Sequence, residues 1–427
     1  MTFKDTSIDT AQAMDAEDPL QTFRERFIID DPRTIYLDGN SLGRLPRQTV
    51  TDMQRVIEEE WGQTLIGSWN KHWIARPSQL AAQIAELVGA KAHEVLIADS
   101  TSINLFKLAL AALRLQNNRT RIVSDVLNFP SDLYILQGII DLLGRRHELI
   151  LIPSEDGITI SETAVEQAID DSTALLTLSH VTFKSAFMYD MANITALAHR
   201  RGALVLWDLS HAVGAVPIDL NGCHADLAIG CNYKYLNGGP GSPAFLYVRE
   251  DLQEQLISPL WGWFGAHRPF NFELDFQAHP GIERFNVGTP PMLSLSALTA
   301  SLEIHRQAGM ERIRQKSIRQ TEYVLFLFHE WLAPLGFSLG CPENAQQRGS
   351  HISIRHEHAY PICQAMINSK PPDVRVIPDF RTPDNIRMGI APLYTSYHDI
   401  HAAMDRIRTI AASQSYKNFS SDIQGIT

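Results

Sequence analysis

Between residues 94 and 248 the chain alternates short apolar runs with amphipathic stretches, and this alternation confines it to one broad class of fold. Runs at 94–98, 121–124, 149–152, 174–178, 203–206, 226–230 and 244–248 read as strands. Helical spacing fills most of the gaps, over 104–115, 132–143, 162–169 and 191–200. Strands apolar on both faces and separated by helices predict an α/β fold with a mostly parallel, seven-stranded-type sheet covered on both sides. In such sheets ligands sit beyond the carboxyl ends of the strands.

On either side the pattern differs. Pro46 opens a helical stretch over 48–65, with Val50, Met53, Val56 and Trp61 at near-helical spacing. A second helix, 77–88, carries Leu80, Ile84, Leu87 and Val88 on one face. After Pro291, helices over 293–305 and 310–335 lead to strands at 351–355, 374–377 and 386–390 and helices at 361–367 and 398–410. This predicts a smaller α+β C-terminal domain. Two lobes suit 427 residues, because single cores stop growing near roughly 250–300 residues. The expected division is an N-terminal arm and helix associated with the small domain (1–75), a large domain (76–300) and the small domain (301–427). Residues 1–30 read as a loosely held arm and 412–427 as a polar tail.

Charge and composition restrict partners. A net charge of −11, from 37 Lys plus Arg against 48 Asp plus Glu, argues against nucleic acid or an acidic membrane surface. No apolar run reaches the about 18 residues of a membrane span. Residues 1–20 show neither a basic-then-apolar nor an arginine-rich targeting pattern. Four cysteines without C-x-x-C spacing read as reduced thiols. A cytoplasmic protein with a small-molecule partner is expected.

Chemistry concentrates at two strand ends. Trp207-Asp208-Leu209-Ser210-His211 closes one apolar run, and Tyr233-Lys234-Tyr235 followed by a glycine-rich turn comes just after another. A lysine and a carboxylate at neighbouring strand ends are the pair that holds pyridoxal 5'-phosphate (PLP). The amine forms a Schiff base with the cofactor aldehyde, and the carboxylate keeps the pyridine nitrogen protonated. A lone lysine after a strand is ordinarily a surface residue, and Asp208 alone could be a helix cap. The combination favours a cofactor site.

Other positions stay open. Asp99-Ser100-Thr101-Ser102 lies at a strand-to-helix turn and suits phosphate binding and simple capping equally. Phe129-Pro130-Ser131-Asp132 follows a strand; a packed Phe with a cap at Ser131 is the plainer alternative to ring stacking. Arg387 sits inside an apolar strand, either in a structural ion pair or as a clamp for a substrate carboxylate. His356-Glu357-His358 lacks zinc spacing, 39–43 has glycines but no Walker lysine, and no G-x-S-x-G elbow is present.

Taken in order, 36–43, 129–132, 208–214, 233–237, 261–265 and 392–399 resemble the kynureninases, over nearly the whole chain. The resemblance implies PLP fold type I and hydrolysis of L-kynurenine to anthranilate and L-alanine in tryptophan catabolism. It implies Lys234 as the Schiff-base lysine, with Thr101, Ser102 and Tyr233 on the phosphate. Phe129 would stack on the ring, with Pro130, Ser131, Asp132, Ser179, Asp208 and His211 around it. Trp263 and Thr289 would come from the partner subunit of a homodimer, and Arg387 would take the substrate carboxylate. Tyr233 is the candidate proton donor.

Animal members carry histidine and asparagine where this chain has Trp69 and Thr289, which resembles bacterial members acting on kynurenine. A ring hydroxyl facing Trp69 would lack a partner, at about 1–3 kcal/mol, so L-kynurenine is expected to be preferred over its 3-hydroxy derivative. The alternatives are a cysteine desulfurase-like lyase, for which Cys341 beside Pro342 would be the nucleophile, and a catalytically silent binding protein of the same fold.

Overall fold

The computed structural model describes residues 3–423. Residues 1–2 of the expected arm and 424–427 of the expected tail lie outside it. A seven-stranded sheet runs in the spatial order Val95–Ile97, Phe245–Val248, Leu227–Gly230, Leu204–Asp208, Thr173–Ser179, Arg121–Asp125, Glu148–Ile152. Phe245–Val248 is antiparallel to both neighbours and the other pairings are parallel.

Side-chain alternation gives each strand two cores. Along Leu204–Asp208, Leu204 and Leu206 pack with Leu105 and Leu108 of helix Thr101–Leu115. Val205 and Trp207 point the other way, toward Ile194 and Ala198 of helix Met191–Arg200. Burying each such aliphatic side chain contributes about 1.5–3 kcal/mol. The polar residues at the strand ends are therefore held on a rigid frame.

The C-terminal part forms a four-stranded antiparallel sheet ordered Asp379–Arg381, Asn385–Gly389, His351–Arg355, Ser338–Leu339. Helices Met310–Leu327, Ala359–Ile367 and Tyr397–Ser413 add to its core. One pairing was not anticipated: Thr34–Tyr36 lies parallel to Arg375–Ile377.

Two expectations need correction. The N-terminal arm is not loose where it is described. Helix Ile8–Ala16 buries Ala11 and Met14 in the small-lobe core, and Asp15 accepts the backbone N–H groups of Tyr397 (2.7 Å) and His398 (2.9 Å). Asp18 pairs with Lys316 at 2.6 Å, with both side chains buried, so releasing the arm would strand a buried charge. Nor does 48–65 form one helix with an apolar inner face. The α-helix is Arg47–Arg55, a π turn follows at Val56–Trp61, and Val50 (48%) and Trp61 (55%) are exposed. Glu60 takes the interior position instead, accepting from Arg55 (2.6 Å), Arg76 (2.9 Å) and Trp73 Nε1 (2.7 Å). Burial alone would raise its carboxyl, but these hydrogen bonds outweigh burial and hold it at about 2.

Candidate functional site

The sheet delivers two functional groups side by side. Ser179 and Asp208 are the last residues of adjacent parallel strands and face each other in register. Ser179 Oγ lies 3.3 Å from Asp208 Oδ2 and 2.8 Å from Asn128 Oδ1. The capping alternative for Asp208 is realised in part, since its Oδ1 accepts the Ser210 N–H at 2.8 Å. Asp208 also lines the cavity.

Lys234 follows strand Leu227–Gly230 and reaches the same cavity. Its Nζ lies 3.3 Å and 3.4 Å from the two ring nitrogens of His211. Burial, and then the Lys234 charge, holds the His211 imidazole well below its ordinary value, so the ring is neutral beside the amine. Tyr233 lines the cavity too. The neighbouring Cys231 and burial push its phenol up, so it carries its proton at neutral pH.

Two helix N-termini converge opposite the lysine. Ser100 caps helix Thr101–Leu115 by accepting the Ile103 N–H. That leaves Thr101 and Ser102 on the cavity wall, with Ser102 Oγ 3.1 Å from Ser131 Oγ. Ser100 does the capping, so the Thr101 and Ser102 hydroxyls are not taken up by it. In the second helix, Pro130–Leu142, Phe129 is the N-cap residue and Pro130 the first helical one. Phe129 is 41% exposed and lies edge-on to Phe183 at 5.2 Å, which removes the packed-Phe alternative.

Asp132 is buried, and its Oδ2 has no hydrogen-bond partner. Burial first, then the Asp208 charge, pushes its carboxyl well above the usual range. An orphaned buried carboxylate beside a second one calls for a cationic group between them. The protonated ring nitrogen of PLP is such a group, the two helix N-termini suit its phosphate, and Lys234 suits its aldehyde. The residues present fit the cofactor.

For Arg387 the ion-pair alternative is realised, and the side chain also faces the cavity. It is 1% exposed and paired to Asp379. Its guanidinium also donates to Phe183 O (2.5 Å) and Ser41 Oγ (2.8 Å). With the Asn40 amide oriented to satisfy its neighbours, Arg387 Nε donates to it at 3.0 Å. Asn40, Ser41, Asn128, Phe183 and Arg381 were not singled out from sequence. The signal for the first two was the pair of glycines around them. A Cβ at Gly43 would strike the Lys234 carbonyl and Asn237, and one at Gly389 would strike Asn40. The 39–43 turn is therefore wedged between the lysine loop and the Arg387 strand.

Trp69, Trp263 and Thr289 do not reach this cavity within one chain. Trp69 packs edge-on to Trp73 (5.6 Å) and near Phe264 (6.1 Å). Trp263, 39% exposed, lies 4.3 Å from Phe264, and Thr289 is exposed. Trp69 and Phe264 line a second hollow with Asn286 and Pro290, away from Lys234.

Among the described residues no cluster of metal-ligating side chains occurs, and no helix is long and apolar enough to cross a membrane. Cys341 is buried and its thiol is pushed up to about 11 by burial, the opposite of an activated nucleophile.

Residues 313–407 match the family model for the kynureninase C-terminal domain. The chain is 43% identical over 414 residues to a kynureninase of Burkholderia mallei (strain SAVP1), covering 96% of each. It is 42% identical over 404 residues to one of Pseudomonas fluorescens, covering 93% of this chain and 94% of the relative. Among solved structures, the apo cysteine desulfurase of Thermococcus onnurineus NA1 superposes with a TM-score of 0.78 at 18% identity, over 94% of this chain and 98% of that one. The cysteine desulfurase CsdA of Escherichia coli gives 0.76 at 16% identity, over 92% and 98%. A lysine-to-alanine mutant of C-DES with glycine covalently linked to its PLP cofactor gives 0.75 at 17%, over 90% and 98%. These last three share the fold.

Proposed function

The chain belongs to the kynureninase family, and on that premise we propose that it hydrolyses the Cβ–Cγ bond of L-kynurenine to anthranilate and L-alanine, with PLP as cofactor. The observation that carries this reading is the convergence of Lys234, Asp208 and Arg387 on one cavity.

Bound there, PLP supplies an electron sink conjugated with the substrate's amino nitrogen. Thr101, Ser102 and Tyr233 hold the phosphate. Asp208, oriented by Ser179 and Ser210, keeps the ring nitrogen protonated, and Asp132 adds a second carboxyl on that side. Phe129 covers the ring face, and His211 stays neutral beside it. Arg387 binds the substrate carboxylate. The Lys234 amine would hold the cofactor through its aldehyde and, once free, would remove the Cα proton. Tyr233 delivers the proton that turns Cβ into the alanine methyl, while the oxygen of water ends in the anthranilate carboxylate.

A homodimer completes the site. Trp263 and Thr289 act on the partner's cofactor and substrate, and Trp69 joins them across the interface. The exposed apolar groove of Leu45, Val50 and Ile57 supports such an interface. Within each chain we propose that 1–75 is associated with the small domain 301–427, beside a large domain 76–300, and we place the protein in the cytoplasm. The desulfurase reading is not favoured, because Cys341 is buried with a raised thiol. The test is incubation of holoenzyme with L-kynurenine: anthranilate fluorescence should appear with an equal amount of L-alanine, and no fluorescence would refute the assignment.

A further inference from the structure

Four charged side chains meet at the Arg387 end of the cavity: Asp38, Asp379, Arg381 and Arg387. Asp379 is bound by both guanidiniums, with Arg381 at 2.9 Å. Asp38 stands one amide further out. Its carbonyl accepts the Ser41 (2.9 Å) and Leu42 (3.1 Å) N–H groups. Its carboxylate accepts from the Asn40 amide (3.3 Å), which in turn accepts from Arg387 Nε. The groups facing Asp38 are Asp379 and Arg381 on one strand, Arg387 on the next, Ser41 in its own turn, and Tyr36 and Tyr235. Both phenols are pushed up, by burial first, and keep their protons near neutrality.

The cluster is balanced, with two carboxylates against two guanidiniums. A substrate carboxylate brings a third negative charge into a space where Arg387 and Asp379 are almost wholly buried. An uncompensated charge there is costly. Asp379 is pinned between both arginines. Asp38 meets Arg387 only through Asn40, and burial followed by the Asp379 charge has already pushed its carboxyl up to about 6.

We propose that the substrate carboxylate binds together with one proton, which Asp38 takes up, making Asp38 a positioning residue that sets how carboxylate affinity depends on pH. This rests on the reading of Arg387 as the carboxylate clamp. The sign follows from linkage. Binding is tightest where Asp38 is already protonated, and above about pH 6 it weakens by about tenfold per pH unit until the raised value in the complex is passed.

Two probes without an α-amino group, and so unable to condense with the cofactor aldehyde, make the test with holoenzyme: 3-benzoylpropionate and its amide. Calorimetry near neutral pH in buffers of different ionisation enthalpy should show uptake of close to one proton with the acid and none with the amide. Asp38→Asn should still bind the acid, with no proton uptake and a flattened pH dependence of Kd. Uptake that survives in Asp38→Asn would overturn the proposal. If that variant does not fold, the wild-type comparison decides, because equal uptake for both probes, or none for the acid, overturns it as well. Arg387→Met separates the two readings. Undiminished binding of the acid there refutes the clamp itself, whereas weakened binding there with uptake persisting in Asp38→Asn refutes only the role of Asp38.

Discussion

Lys234 Nζ is almost equidistant from the two ring nitrogens of His211, at 3.3 Å and 3.4 Å, so neither ring nitrogen is singled out as its hydrogen-bond partner. The neutral imidazole adds no charge beside the amine. The charged anchors of the site stand on either side, with Asp208 at a strand end and Arg387 in the other lobe.

Asp208→Asn keeps the shape of the strand end and removes the charge proposed to hold the ring nitrogen protonated. Losing one preorganised electrostatic group should lower kcat by about 10²–10³-fold. Stopped-flow absorbance should place the loss in Cα proton removal, and a kcat within a few-fold of wild type would reassign that task to Asp132.

Arg387→Lys retains a positive charge but cannot reach Asp379, Ser41, Asn40 and the Phe183 carbonyl together. Carboxylate affinity should fall by about 2–5 kcal/mol. Steady-state kinetics should show this mainly as a raised KM, with kcat less affected.

Trp69→His combined with Thr289→Asn should give the 3-hydroxyl of hydroxykynurenine hydrogen-bond partners. From an unpaired-hydroxyl cost of about 1–3 kcal/mol, the kcat/KM ratio should move toward 3-hydroxykynurenine by about 5–150-fold. Comparable kcat/KM for both substrates in the wild type would remove the basis for this expectation.

Hybrid dimers test the shared site. Lys234→Ala subunits and Trp263→Ala subunits are each expected to be impaired. Mixing and reassociating them should recover activity, because one site per hybrid then holds Lys234 from one chain and Trp263 from the other. No recovery, with hybrids confirmed by native mass spectrometry, would place Trp263 in its own chain's site.

Much of this was legible from the sequence because the large sheet is built from local patterns. Short continuous apolar runs and period-3.6 helices at 94–248 correspond closely to the observed elements, and Asp208 falls at the expected strand end. The errors came where distant contacts decide. Val50 and Trp61 keep helical spacing, but the buried Glu60 with Arg76 and Trp73 takes the interior place. The arm at 1–30 reads as polar, and its anchors, Lys316 and the start of helix Tyr397–Ser413, lie far along the chain. Asn40 and Ser41 were passed over because their glycines lack a phosphate-binding lysine. Their task is to brace Arg387, a contact between remote segments that no local spacing encodes.

The most direct test of the central claim is to reduce the holoenzyme with borohydride, digest it and locate the pyridoxyl group by peptide mass spectrometry. The added mass should lie on Lys234, and Lys234→Ala protein should show neither that mass nor the bleachable visible absorption. A pyridoxyl group on any other lysine would contradict the site described.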